Sequence, residues 1–313
     1  NKLPYLDGVV LQKYGDTTAI LSDFIAGKLD YINMNAGLSD SEATQLTSSA
    51  QTQAYQFDAA AEAIGLKMNQ EPFHDIRVRI AMQKAINLEE VATAYYGYDE
   101  LTLPGLWDPA LTSWSTVGTW DDELMDEYTY DPEGAKQLLA EAGYPDGFSF
   151  TVAIDAMANP EIFELAKGYF AEVGIDMEIT ILSDMSEGRQ VQSSRDDPRQ
   201  YNLQMGTGAD AGFVFQTYAT TGFAYCNFAD DTHFDELLVA VRDAMTTDEQ
   251  AAAARACEEY YIQNHFPIAL SGMTQSQEYY STRVGGMENG ELLSAYHFFK
   301  TMSARIWNTE ANG

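Results

Sequence analysis

An α/β fold is predicted by three observations: a helix–turn–strand string over 130–150, a helix–strand pair over 160–182, and punctuating residues at nearly every boundary between them. In the first string, YDPEGAKQLLAEAGYPDGFSF, Asp131 is placed to cap a helix whose first turn holds Pro132 and Glu133. A carboxylate there accepts unpaired N–H groups, and proline has no N–H to leave unpaired. Leu138, Leu139 and Ala142 supply an apolar stripe, and Gly143 suits the left-handed residue that ends a helix. Tyr144-Pro145-Asp146-Gly147 then turns the chain into a strand in which Phe148, Phe150, Val152 and Ile154 alternate. Asn159 caps the next helix and Gly174 stops it. Ile175, Met177, Ile179 and Ile181 follow on one strand face, with Asp176, Glu178 and Thr180 on the other. Strand, helix and strand in that order form a βαβ unit, which makes parallel neighbours and in nearly all cases crosses right-handed.

The flanking segments read less fully. Residues 9–33 suggest a strand over 9–14, a helix capped by Thr17 or Thr18 and stopped by Gly27, and a strand over 29–33. Residues 72–97 suggest two consecutive helices, one after Asp75 and one capped by Asn87 with Glu90 completing a capping box. Residues 103–120 carry Pro104, Gly105, Pro109 and Gly118 without any period, so they are expected to be a loop, one that bears Trp107, Trp114 and Trp120. Farther on, 201–205 is strand-like, Thr247 is placed to cap a long helix, and 266–271 reads as a strand.

Composition sets limits on function. The chain has 313 residues, enough for two lobes, and its 45% hydrophobic content excludes a mainly disordered polymer. With 17 Lys and Arg against 48 Asp and Glu, the net charge is −31, which disfavours nucleic acid and anionic lipid as partners. No apolar run approaches the roughly 20 residues of a membrane span, and 1–14 lacks the layout of a signal peptide. Cys226 and Cys257 are too few for a disulfide scaffold; they form either one bridge or two thiols, and Cys257 shares a helix face with Ala253 and Tyr261. His74, His233, His265 and His297 make no metal-binding pair at helical spacing, and no cofactor is expected. Asp121, Asp122, Asp126 and Glu127 suit pairing with a helix dipole better than a calcium site. Nucleophile-elbow, Walker and zinc-protease motifs are missing, so an enzyme would have to use two of the many carboxylates as a hydrolase.

One stretch does mimic a nucleotide site. Gly206-Thr207-Gly208-Ala209-Asp210-Ala211 follows the strand-like 201–205 and satisfies G-x-G-x-x-G/A. The segment after it is rich in β-branched and aromatic residues and is broken by Gly222, so a loop of tight turns fits it better than a phosphate-binding helix start.

The 130–150 string, read with PFHDIRVRIAMQKAIN at 72–87, resembles the extracellular solute-binding proteins of peptide- and nickel-type ABC importers, the oligopeptide- and dipeptide-binding family. Phe73, Asp75, Arg77, Val78, Arg79, Ala81, Ala85 and Ile86 fit its first motif, with Asn87 where Asp is usual; from Tyr130 to Phe148 nearly every family position is matched, Gly134 being the odd residue. The resemblance implies a type II periplasmic-binding-protein-like fold with a mixed sheet and flanking helices. It further implies that the chain is mainly the second lobe, a C-terminal piece lacking the start of the first lobe and binding weakly by itself. The expected division is 1–33 in the first lobe, 34–271 as the second, and 272–313 returning to the first. Family members are exported, some of them lipid-anchored, and work as monomers. They close two lobes about a small solute such as a peptide and present it to a permease of the cytoplasmic membrane, with no bond made or broken. A nickel chelate, haem or oligosaccharide is the alternative cargo.

The same resemblance suggests site residues. Peptide-binding members carry an Asp that pairs with the ligand α-amine in a G-W-x-x-D segment. Asp210 matches that Asp, while Thr207 and Gly208 occupy the loop before it and Thr207 replaces the Trp. Arg195 stands where some members place an arginine for the ligand carboxylate, although Asp196, Asp197 and Arg199 beside it equally suit a surface ion-pair cluster. Trp107 and Trp114 are candidates to line the cleft because they lie on a loop, against the plainer expectation that aromatic residues are core. Arg77 and Arg79 are read as stabilising ion pairs with acidic neighbours.

Overall fold

The computed structural model describes residues 10–32, 38, 40–58, 60–108, 111, 113–155, 158–208, 214, 218–220, 229–285 and 307–308. The chain forms two compact units, Asn1–Ala59 with Gln275–Gly313 and Ala60–Thr274. Its strands are β1 (Tyr31–Ile32), β2 (Thr52–Asp58), β3 (Ala61–Gly65), β4 (Phe148–Ile154), β5 (Ile175–Ile181), β6 (Gln200–Met205), β7 (Ile268–Ala269), β8 (Gln275–Ser281), β9 (Val284–Gly285) and β10 (Trp307–Asn308).

The first unit holds an antiparallel sheet in the order β1-β8-β2, and β9 pairs with β10. Leu21 and Phe24 of the helix Thr17–Ile25 pack with Ile32, Leu46 and Tyr279 as its core. Glu278 is buried in this sheet because two phenols serve it: Tyr31 donates to it at 2.5 Å and Tyr280 donates to its other oxygen. Several sequence expectations are corrected here. Residues 10–14 form no strand, the cap of the first helix is Asp16 rather than a threonine, and of the strand expected over 29–33 the described residues 29–30 lie outside β1, which holds Tyr31–Ile32. The two compact units divide at Ala59–Ala60. The reason is β2, which pairs with β8 over its whole length, from Thr52 opposite Ser281 to Asp58 opposite Gln275.

The second unit is built on a mixed sheet in the order β5-β4-β6-β3-β7. β4 runs parallel to β5 in full register, Phe148 opposite Ile175 through Ile154 opposite Ile181, so the expected βαβ unit is present with the helix Pro160–Glu172 as its connection. Its caps are those read from the sequence: Asp131 accepts the Gly134 N–H, and Asn159 accepts the Glu161 N–H. Gly147 is required twice over, since its φ is +76° and a β-carbon there would lie 1.8 Å from the Gly174 carbonyl oxygen. Phe150, Val152, Ile162, Phe163, Phe170, Ile175 and Met177 form the heart of the core. Ile181, at the end of the edge strand, emerges to 60% exposure.

The helix Ile76–Lys84 is capped by Asp75, whose carboxylate also pairs with Arg77 at 2.6 Å. Arg79 departs from its expected role. It is buried and donates to four carbonyl oxygens, those of Phe73, His74, Asn264 and His265, at 2.7–3.0 Å. Burial lowers its guanidinium pKa to about 10, which leaves it charged at neutral pH. Asn87 caps as expected, but Glu90 returns to its side-chain amide rather than to its backbone. The cap of Thr247–Tyr260 is Thr246, which forms the capping box with Glu249. The strand expected over 266–271 shortens to Ile268–Ala269, because Phe266 lies in the left-handed region at φ 46° and ends a π-helical turn. Asp121 caps its helix, and Asp126 and Glu127 pair with Lys84. Cys257 is a buried free thiol whose pKa is pushed up by burial, and Cys226 lies outside the described residues.

Candidate functional site

In the second unit β4 and β6 are parallel, and the antiparallel β3 begins where β6 ends, with Ala61 opposite Met205 and Glu62 opposite Gln204. The carboxyl end of the sheet therefore gathers Glu62, Gln204, the loop 206–208, and Ser271 just past β7. In open α/β sheets this is the end at which ligands bind.

The glycine loop is held by a neighbouring segment. Gly206 donates to the Gly105 carbonyl at 3.0 Å, Gly208 donates to that of Leu106 at 3.2 Å, and Asp108 donates back to Gly208 at 3.2 Å. Trp107 and Gly208 thus form a parallel bridge. A β-carbon at Gly208 would approach the Leu106 oxygen to 2.6 Å, so the glycine serves close backbone approach. Because the Gly206 and Gly208 N–H groups are consumed in this pairing, they are not free to cradle a phosphate, and the dinucleotide motif is a likeness of spelling only.

Glu258, on the helix Thr247–Tyr260, fixes this arrangement from beneath. It is fully buried, and its carboxylate accepts the N–H groups of Leu106 (2.8 Å) and Trp107 (3.4 Å), the Thr116 hydroxyl (2.8 Å) and the Thr116 N–H. Four donors on one carboxylate compensate its loss of water. The Trp107 indole donates to the Ala254 carbonyl at 2.9 Å on the same helix. Trp107 is 1% exposed, which corrects the expectation that its loop presents it: it is core, and its polar edge is satisfied internally. Trp114 packs edge-to-face on Trp107 at 5.0 Å and remains half-buried.

The remaining sequence candidates are scattered. Thr207 is buried, with its hydroxyl 3.4 Å from the Gln204 carbonyl, and Asp210 lies outside the described residues. Arg195 pairs with Asp230, and its own carbonyl accepts from Asn69 and Gln70 at 3.1 and 2.7 Å. Its neighbour Asp197 is taken by Arg199, which also binds Glu187.

A polar group at the sheet end was missed. Glu62 is part-buried and meets the Gln204 amide at 3.5 Å; burial raises its carboxyl pKa, with Gln204 opposing. Its backbone N–H donates to the Ser271 hydroxyl at 3.0 Å. Tyr96 shares a hydrogen bond with Ser271 and stacks on Tyr98 at 5.4 Å; burial and then the nearby Glu62 charge push its phenol up. The available signal was a single carboxylate inside the otherwise uncharged, alanine-rich run 59–66.

Comparison with known proteins places the chain. Residues 1–247 match the family model of bacterial extracellular solute-binding proteins, family 5, middle region, and the chain belongs to that family. It is 33% identical over 118 residues to heme-binding protein A of Haemophilus influenzae, covering 36% of this chain and 20% of that protein. It is 29% identical over 163 residues to the dipeptide-binding protein of Escherichia coli, covering 50% and 28%. Among solved structures, the substrate-binding protein CtaP of Listeria monocytogenes superposes with a TM-score of 0.71 at 15% identity, covering 95% of this chain and 59% of that one. The periplasmic binding protein DppA of Helicobacter pylori, in complex with the peptide STSA, superposes with a TM-score of 0.70 at 17% identity, covering 95% and 56%. The chain thus spans little more than half of these structures and under a third of these two curated relatives. Among the described residues, no helix is long and apolar enough to cross a membrane.

Proposed function

We propose that the chain belongs to the solute-capturing component of an ABC importer, a receptor for peptides or a related small solute, and that it performs no chemistry. The family match over residues 1–247 carries this reading. It is supported by the polar group at the carboxyl end of the sheet, Glu62, Gln204, Ser271 and Tyr96, beside the loop that leads to Asp210. Asp210, Thr207, Gly208 and Trp114 are assigned to this end as ligand contacts, with Trp107 as their support; Arg195 is the proposed partner of a ligand carboxylate and would exchange Asp230 for it. The 1–59 and 275–313 segments are assigned to the first lobe and 60–274 to the second, with the crossings at Ala59–Ala60 and Thr274–Gln275 as the hinge. The receptor works as a monomer in the periplasm or at the outer face of the cytoplasmic membrane and delivers its cargo to the permease.

Calorimetric titration of the full-length protein with di- and tripeptides tests this. Saturable binding without any product is expected, and peptide hydrolysis on incubation would overturn it. Haem is the second cargo, favoured by the 33% identity to a heme-binding protein. A Soret-band titration showing one-to-one binding, together with silent peptide titrations, would replace the first cargo by the second.

A further inference from the structure

Several buried and part-buried carboxylates among the described residues are well served. Glu258 has four donors, Glu278 two phenols, and Asp231 the N–H groups of His233 and Phe234 together with Tyr260 and His265. Glu62 has the Gln204 amide at 3.5 Å, and no Lys or Arg pairs with it among the described residues. Removing an ionised carboxylate from water without a partner is costly, and burial accordingly raises the pKa of Glu62. Unpaired, partly desolvated charge of this kind concentrates at functional sites. Glu62 stands at the end of the sheet where ligands bind, near Tyr96, which stacks on Tyr98 at 5.4 Å and 10° and meets Tyr95 edge-on at 4.8 Å and 86°. A carboxylate beside aromatic rings is the chemistry that receives an ammonium or guanidinium group, through a charge-assisted hydrogen bond and cation–π attraction.

Resting on the capture function proposed above, we infer that Glu62, with Gln204 and the Tyr96 ring, forms a subsite for a positively charged group of the solute. The cation comes either from a basic side chain or from a peptide N-terminus.

The test is calorimetry on the full-length protein and its Glu62→Gln variant with three probes: Ala-Lys-Ala, Ala-Gln-Ala and N-acetyl-Ala-Gln-Ala. Glu62→Gln is nearly isosteric and its neighbour Gln204 is exposed, so the variant is expected to melt with the wild type. The wild type should prefer a more cationic probe to the next by about tenfold, as for one charge-assisted contact. Glu62→Gln should abolish that preference while keeping affinity for the acetylated probe. Preference for lysine over glutamine assigns the side-chain cation, and preference for the free over the acetylated terminus assigns the N-terminus. Equal binding of all three by the wild type, or a preference that survives Glu62→Gln, overturns the subsite and leaves solute capture standing. Binding of none of them overturns both the peptide cargo and the subsite. If Glu62→Gln does not fold, Gln204→Ala serves instead, and a wild-type preference unchanged in that variant overturns the inference.

Discussion

Gln83 behaves toward Ala269 as an extra strand would: its side-chain oxygen accepts the Ala269 N–H at 2.8 Å, and its side-chain nitrogen donates to the Ala269 carbonyl at 3.2 Å. Ala269 lies on β7, the edge of the five-stranded sheet, and both residues are fully buried. A helix side chain thus satisfies the backbone groups that an edge strand leaves open. Gln83→Leu keeps the volume and removes both bonds, leaving two buried backbone groups unpaired. A loss of about 2–4 kcal/mol is expected, measured as a lower urea midpoint at unchanged slope. A midpoint within error of the wild type would show that water replaces the amide.

Glu258 should be costlier to remove. Glu258→Ala orphans the donors of Leu106, Trp107 and Thr116 and leaves a cavity, for an expected loss of more than about 3 kcal/mol. Glu258→Gln keeps the size but turns an –NH₂ toward groups that are themselves donors, so it should recover little. Because Trp107 and Trp114 sit on the released segment, a red shift of tryptophan emission should accompany faster exchange of the Leu106 and Thr116 amides. Unchanged exchange at both amides would contradict this role of Glu258.

What was legible in the sequence and what was not divides by the range of the interactions. Asp131 and Asn159 could be read as caps because each bonds a residue two or three positions on. The β4–helix–β5 unit was legible because one alternating pattern follows another. Glu258 reaches Leu106 across 152 positions and Gln83 reaches Ala269 across 186, and no local pattern marks such a pair. The partial clue to Glu258 was a charge on the helix face of Ala254 and Tyr261, where burial is expected. Burial and strand structure near the candidate site were the least legible. Trp107 looked exposed because its loop has no period, yet the helix Thr247–Tyr260 closes over it. β3, which carries Glu62, was not read as a strand at all, since Ala61 and Ala63 are weak strand formers.

Acid should weaken the second unit in two stages. His265 is buried, and burial lowers its pKa even though Asp231 accepts its ring N–H at 3.0 Å. The folded pKa lies below the unfolded value of 6.5, so the unfolded chain binds the proton first. Stability is level above about pH 6.5 and falls below it until the folded pKa is reached, with a limiting slope of about 1.4 kcal/mol per pH unit. For Asp231, burial acts to raise the pKa, but bonds from His265, the Phe234 N–H and Tyr260 outweigh it and leave the value lowered. Its contribution is present above the unfolded value of 3.8 and is lost as pH falls through the folded pKa. Urea midpoints across pH 4–7 should therefore lose their slope near pH 6 in His265→Gln, and a slope that persists would assign it to other groups.

Salt should stabilise the protein. With 17 basic residues for 48 acidic ones, many carboxylates have no cation to pair with. Phenols stand in at the surface: Tyr169 donates to Glu90 at 2.9 Å, Tyr95 to Glu161 at 3.1 Å, and Tyr144 to Glu71 at 3.1 Å. Such bonds satisfy the carboxylate without cancelling its charge, so self-repulsion across the surface remains. Raising sodium chloride from 0.1 to 1 M shortens the screening length from about 10 to about 3 Å and should weaken that repulsion, while the few surface ion pairs lose little. The melting temperature should rise, each kcal/mol gained appearing as about 2–4 °C for a unit of this size. Sorbitol at equal osmolality separates charge screening from solute exclusion. A rise as large with sorbitol as with salt would mean that the charge of −31 does not govern the stability of the fold.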